Sequence, residues 1–324
     1  MKRLVLIASY YALPVVVSSQ PPRGIMRDTS YTISSAYQST IKTYPQIKIA
    51  APFHSPSITE KYNITYCKNG KRKMLLDAFY PTQKNSRPQP AILIIHGGGW
   101  RSGDKTLHHP MAQRLAGLGY ICFTPEYRLA SEALYPAAVY DLKAAVRWIR
   151  KNAKRYNIDV THIAVAGHSA GGELAAFIGA TNGNPLFEGN GGNTKFSSRA
   201  DAVIDIDGLL AFIHPESGEG DDSKRISAAT NWFGASKTTN PELWKQGSPL
   251  THAGKNTVPT LFINSDAERM HAGRDDYITI LQSNNIYNEV HHFDKSPHLF
   301  CLFDPWFEPT IKYMDDFLKK IFKK

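Results

Sequence analysis

Residues 163–172 read IAVAGHSAGG, and the run from Ala170 to Ala180 that follows is rich in small and apolar side chains. Four apolar residues, Ile163 to Ala166, stop at Gly167. A short, continuous apolar run of that kind fits a strand covered on both faces, and the segment from Ala170 reads as a helix. Between them stands Gly-x-Ser-x-Gly, centred on Ser169, in the setting that gives the motif its meaning. A sharp strand-to-helix turn exposes the serine hydroxyl, and small neighbours let the backbone make that turn. The helix N-terminus beneath it favours negative charge developing alongside. Ser169 is therefore the candidate nucleophile.

On either side of this turn, strands and helices alternate. Ala91–Ile95 and Tyr120–Thr124 read as strands, and His109–Leu118 as a helix closed by Gly119. Val139, Leu142, Val146 and Ile149 recur at spacings of three and four, which predicts an amphipathic helix from about Pro136 to Tyr156. Ala202–Ile206, Leu261–Ile263 and Asn288–Phe293 are further strands, and Asp275–Ser283 is a helix. Ile311, Met314, Phe317, Leu318 and Ile321 mark a last helix, with Pro309 suited to its first turn. Upstream, Lys61–Cys67 and Arg72–Tyr80 flank an Asn69-Gly70 pair, the signal of a tight hairpin. The pattern predicts an α/β fold: a mostly parallel twisted sheet with helices on both faces and an N-terminal antiparallel hairpin. One domain over residues 58–324 accommodates it, preceded by a Pro-, Ser- and Thr-rich extended arm over 20–57. The irregular insert over 209–258 is expected to form a wall of a cleft, or a lid.

The 324 residues are 42% hydrophobic and 20% charged, enough for a substantial core. The net charge of +10 favours acidic partners. Its Lys and Arg are scattered rather than striped with aromatics, so nucleic acid is not an expected partner. Lys2-Arg3 precede an apolar run from Leu4 to Val17, then Ser18-Ser19-Gln20. That order predicts a signal peptide over 1–19 and export to the periplasm or outside. The run falls short of the roughly 20 residues of a membrane span, so stable membrane insertion is not expected. Cys67, Cys122 and Cys301 show no metal-ligand spacing.

A second motif, His96-Gly97-Gly98-Gly99-Trp100, closes the strand over 91–95. Successive glycines let backbone N–H groups point into a cleft. With the N–H of Ala170, those of Gly98 and Gly99 can form an oxyanion hole, each donor worth about 2.7–4 kcal/mol of transition-state stabilisation. No Gly-Lys-Ser/Thr ending follows, which argues against a phosphate loop.

HGGGW, YPAAVYDLKAAVRWIRKNAKRYNID over 135–159 and IAVAGHSAGG together resemble the α/β-hydrolase superfamily. The chain looks most similar to its hormone-sensitive-lipase-like and BD-FAE-type esterases, over roughly residues 60–324. The resemblance implies a catalytic triad in the chain order Ser, acid, His. Pro297-His298-Leu299-Phe300 looks like the family's Gly-His-x-Phe, which makes His298 the expected general base; His291 and His292 lie inside the strand and suit structural roles. The acid is open. Counting from Pro259 without a gap puts Glu268 at the family's position, and a loop two residues shorter puts Asp266 there. The usual Asp-Pro is missing, so Asp275, Asp276, or Asp207 after the preceding strand, are further alternatives.

The implied chemistry is ester hydrolysis through an acyl-enzyme, with no metal or organic cofactor. Trp100, Trp232, Trp244, Trp306 and Phe307 are expected around the cleft, where aromatic faces suit sugar rings. Trp100 and His168 are the expected substrate contacts. The tail SPHLFCLFDPWFEPT is similar to exported bacterial carbohydrate esterases acting on pectin and xylan. The expected substrate is an esterified, most readily acetylated, polysaccharide. The alternatives are a general short-chain carboxylesterase or lipase acting on small esters, and a non-catalytic binding protein on the same fold.

Overall fold

The computed structural model describes residues 27–323; the expected signal peptide over 1–19 and the first residues of the arm lie outside them. Ten strands follow in chain order: β1 (Lys48–Ile49), β2 (Ile58–Asn69), β3 (Arg72–Pro81), β4 (Gln89–Ile95), β5 (Ile121–Pro125), β6 (Ile158–His168), β7 (Ala202–Ile206), β8 (Thr260–Asn264), β9 (Asn288–His292) and β10 (Phe303–Asp304). Eight of them form one sheet in the order β2-β3-β5-β4-β6-β7-β8-β9, while β1 pairs with β10. The β2–β3 and β3–β5 pairings are antiparallel, and every pairing from β5–β4 to β8–β9 is parallel. This is the mostly parallel sheet with an antiparallel hairpin that the alternation predicts. The hairpin loop sits one residue later than its Asn-Gly signal suggests. Asn69 pairs with Arg72, and Gly70 takes the positive φ of 57°.

Residues of β4 show why helices must cover both faces. Leu93 and Ile95 pack with Val139, Leu142, Val146, Leu174 and Phe177 on one side. Ile92 and Ile94 pack with Met111, Leu115, Ile311, Met314, Phe317 and Leu318 on the other. Successive strand residues point to opposite faces, so an unbroken apolar strand needs two layers of helix. Each such side chain contributes about 1.5–3 kcal/mol by leaving water. The helices that supply those layers run over His109–Gly117, Ala137–Lys151, Ala170–Ala180, Arg274–Ser283 and Phe307–Phe322. The helix expected to reach Tyr156 stops at Lys151; a separate turn, Ala153–Tyr156, ends on Asn157 in the left-handed region.

The arm is not extended throughout. A helix over Ile33–Thr40 starts at a capping box, in which Thr32 and Ser35 each accept from the other's N–H. Ala36, Ile47 and Ala50 are buried in the second core. The insert between β7 and β8 carries three short helices, Ala228–Phe233, Pro241–Gln246 and Pro249–His252. Cys67, Cys122 and Cys301 are buried. No helix among the described residues is long and apolar enough to cross a membrane.

Candidate active site

β6 delivers Ser169 at its C-terminal end, directly before the helix over Ala170–Ala180, with φ 57° and ψ −122°. Such a conformation is strained for a residue with a Cβ and persists only where the surroundings enforce it. Here packing does. A Cβ on Gly167 would collide with the Gly171 carbonyl, and one on Gly171 with the Ile95 carbonyl of β4. Ser169 N–H donates to the Ile206 carbonyl of β7 at 2.9 Å, pinning the turn to the neighbouring strand.

His298 Nε2 lies 2.8 Å from Ser169 Oγ, and His298 Nδ1 lies 2.9 Å from Asp207 Oδ2. A carboxylate only accepts, so Nδ1 carries the proton and Nε2 accepts from the serine O–H. Asp207 is completely buried. Burial alone would raise its carboxyl, but the hydrogen bond and charge of His298, with the Ser265 donors, hold it below its ordinary value. Ser265 donates from its N–H at 2.8 Å and also from its hydroxyl; Asn264 Nδ2 adds a long contact at 3.4 Å.

The acid is therefore neither Glu268 nor Asp266. Both are exposed. Asp266 accepts from Lys295 N–H and faces His292 Nε2 at 3.3 Å, while Glu268 opens a short 3₁₀ turn. Asp275 pairs with Arg274, and Asp276 faces His214. The physical reason lies in strand order. β7 is the immediate neighbour of β6, so its end abuts Ser169, whereas the end of β8 is one strand spacing, about 4.8 Å, further away. Asp207 turns back from β7 at φ 49°, and the loop after β8 supports it through Ser265 instead of supplying it.

Two expected substrate contacts also move. His168 is buried and donates Nε2–H to the His298 carbonyl at 2.8 Å. Burial and then the nearby His298 charge push its pKa down to about 3, so the ring is neutral and positions His298 from behind. Trp100 lines the cleft but is itself buried. The residue is 3% exposed, and its indole stacks on Trp232 at 5.0 Å and donates to Glu173 Oε2 at 2.9 Å. Trp232, Trp244, Trp306 and Phe307 are likewise buried, so the aromatic set is core and not a platform for sugar rings. Trp100, Trp232 and Trp244 pack the insert against the glycine loop together with Phe212 and Phe233, while Trp306 and Phe307 belong to the core on the other face of the sheet.

Gly98, Gly99 and Trp100 all adopt positive φ, at 118°, 59° and 58°. This curl turns the Gly98 carbonyl towards the N–H groups of Arg101 and Ser102, at 3.3 and 3.1 Å. Gly98, Gly99 and Ala170 line the cleft together with Ser169 and His298. Ala170 is the first residue of its helix, where the N–H has no intrahelical acceptor. The cleft holds about 540 Å³. Leu209, Ile226, Met270 and Leu299 give it apolar walls, and Arg101, Arg225, Arg269, Glu219 and Asp221 give it charged ones. At the surface, Asp266, His292 and Asp294 place possible ligand atoms within 4.8 Å of one another; all three are exposed and already paired among themselves.

A family model described as BD-FAE matches residues 76–290. Over 228 residues the chain is 28% identical to Esterase LipC of Mycobacterium tuberculosis, covering 68% of this chain and 53% of LipC. Over 90 residues it is 44% identical to Carboxylesterase NlhH of Mycobacterium tuberculosis, 28% of each chain. The chain thus spans about half the length of LipC and less of NlhH. Among solved structures, a truncated carbohydrate esterase from gut microbiota superposes with a TM-score of 0.67 at 24% identity, over 83% of this chain and 99% of that one. Esterase 2 of the Planctomycetes species Thermogutta terrifontis, with propionate bound, gives 0.66 at 24% identity, over 82% and 95%. At that identity the structural likeness is one of fold.

Proposed function

Because this chain belongs to the BD-FAE family and has the α/β-hydrolase fold, we propose that it is a serine carboxylic-ester hydrolase. The observation that carries this reading is the continuous chain Asp207–His298–Ser169, joined at 2.9 and 2.8 Å and opening on a cleft beside Gly98 and Gly99. His298 takes the Ser169 proton as Oγ attacks the ester carbonyl. The N–H groups of Gly98, Gly99 and Ala170 receive the oxyanion, and His298 returns the proton to the leaving alcohol. Water activated by the same histidine then releases the acid. Asp207 holds the imidazole in the required tautomer and stabilises its cation.

The substrate is an ester-substituted polysaccharide, such as acetylated pectin or xylan, met after export. Three exposed arginines, Arg101, Arg225 and Arg269, stand at the cleft, and the net charge of +10 favours an acidic polymer. The carbohydrate esterase of similar fold and a Bacteroides eggerthii protein described as bifunctional GH43-CE support this reading. The names of LipC and NlhH, an esterase and a carboxylesterase, favour a second one, a general carboxylesterase acting on small esters.

A fluorophosphonate probe should label the wild type and not Ser169→Ala; an unlabelled wild type would sink the hydrolase reading in favour of a binding protein. Acetate release from acetylated polysaccharides, compared with turnover of p-nitrophenyl octanoate, then separates the two substrates. A clear preference for octanoate would overturn the polysaccharide.

A further inference from the structure

The family match begins at residue 76, yet residues well ahead of it reach the cleft. Arg27 is the anchor. Its Nη1 donates to the Tyr127 carbonyl at 2.8 Å and to Glu132 Oε2 at 3.1 Å. Its Nη2 donates to the Gly103 carbonyl at 3.1 Å and lies 3.4 Å from His96 Nε2. One guanidinium therefore ties the arm to both ends of the glycine loop, with charge-assisted bonds in a largely desolvated setting. Asp28 Oδ1 accepts from Ser30 N–H at 2.9 Å, a local turn. The Thr32–Ser35 capping box then starts the helix over Ile33–Thr40. That helix is itself held, through buried Ala36 and an edge-on contact of Tyr37 with Phe303.

Tyr31 lies between these two fixed points, and it lines the cleft together with Ser169 and His298. Its Cδ1 sits 3.3 Å from the place a Cβ on Gly98 would occupy, so the ring lies directly against the expected oxyanion loop. Burial, aided by nearby Cys301, keeps the phenol above its ordinary pKa, so the side chain is neutral.

We propose that Tyr31, positioned by Arg27, is a specificity-determining residue whose ring walls the cleft beside the oxyanion loop and limits the size of ester group admitted there. This rests on the esterase reading above. One methylene more or less in a close-fitting pocket changes kcat/KM by about tenfold or more, and removing a phenol ring opens room for several.

The test uses the full chain and two ester series: p-nitrophenyl acetate, butyrate and octanoate, and acetates of alcohols of increasing size. Tyr31→Ala should raise the large-to-small ratio of kcat/KM in one series by about tenfold or more, and Tyr31→Trp should lower the same ratio. Arg27→Met removes a side chain that is not part of the cleft lining, and should shift that ratio in the direction of Tyr31→Ala. A soluble Tyr31→Ala or Tyr31→Trp enzyme with both ratios within about twofold of wild type, well under the effect of one methylene, would overturn the proposal. Wild-type protein that turns over none of these esters would overturn the esterase reading, and this inference with it.

Discussion

His298 Nδ1 and Asp207 Oδ2 meet at 2.9 Å across 91 positions of chain, and this contact assigns the acid that counting along the chain left open. Water does not reach Asp207. Its carboxylate is therefore a strong, fixed acceptor that selects the tautomer leaving Nε2 free to take the serine proton. Asp207→Asn keeps the volume and loses that tautomer selection, so kcat on p-nitrophenyl acetate should fall by about four orders of magnitude. Asp266→Ala and Glu268→Ala should stay within a few-fold of wild type. Loss by orders of magnitude in either would return the role to the loop after β8.

Ser265 donates to Asp207 twice, from its N–H and its hydroxyl, and Ser265→Ala keeps only the first. A hydrogen bond to a charged group contributes about 1.5–3 kcal/mol. The Asp207 carboxyl lies below its ordinary value in the fold, so its stabilisation is present above the unfolded value of about 3.9 and is lost as pH falls through the folded one. The urea-unfolding deficit of Ser265→Ala should therefore be full near neutral pH and shrink in acid. A deficit that stays constant with pH would mean the hydroxyl serves packing and not the carboxylate.

Much of the fold was legible because its signals are local. The apolar runs at 91–95, 163–166 and 202–206 each become interior strands, and the spacing of Val139, Leu142, Val146 and Ile149 becomes one buried helix face. The turn at Ser169 and the glycine loop could be read because each motif carries its own backbone requirement. The acid could not, because it is decided by which strand ends lie side by side, and β7 follows Ser169 in space but carries no motif of its own. An aspartate followed by glycine at a strand end, Asp207-Gly208, is the one local cue, and it is a weak one. The tryptophans misled for a related reason: composition records aromatic rings but not which way the backbone aims them. Trp100 is 3% exposed, and its indole is spent on Trp232 and Glu173.

Glu173, one turn past Ser169, is fully buried, with Oε2 bonded to Trp100 and Oε1 without a partner among the described residues. Burial pushes its carboxyl well above the ordinary value; the Trp100 bond opposes this, and Asp205 adds to the rise. The folded chain then keeps a proton that the unfolded chain releases above about pH 4.3, so stability from this group falls as pH rises from there towards the folded value. Glu173→Gln removes the ionisation and keeps an acceptor for the indole. The difference in Tm, variant minus wild type, should grow between about pH 5 and pH 8. Parallel curves would show that the folded and unfolded chains release this proton over the same pH range, so that burial does not raise the Glu173 carboxyl.

Arg225 and Arg269 stand at the cleft as exposed residues, and Arg269 Nη1 lies 3.5 Å from Glu219 Oε1. If they meet carboxylates of an acidic polymer, each exposed contact is worth up to about 1 kcal/mol, close to fivefold in affinity. Arg225→Glu should raise KM on an acetylated, carboxylate-bearing polysaccharide by about that factor or more, because repulsion replaces attraction. Its kcat/KM on neutral p-nitrophenyl acetate should stay near wild type, since that substrate offers no anion. Added salt should narrow the gap, because exposed charges are screened over about 8–10 Å at moderate ionic strength. Equal losses on both substrates, or a gap indifferent to salt, would remove the acidic polymer from the proposal and leave the small-ester reading standing.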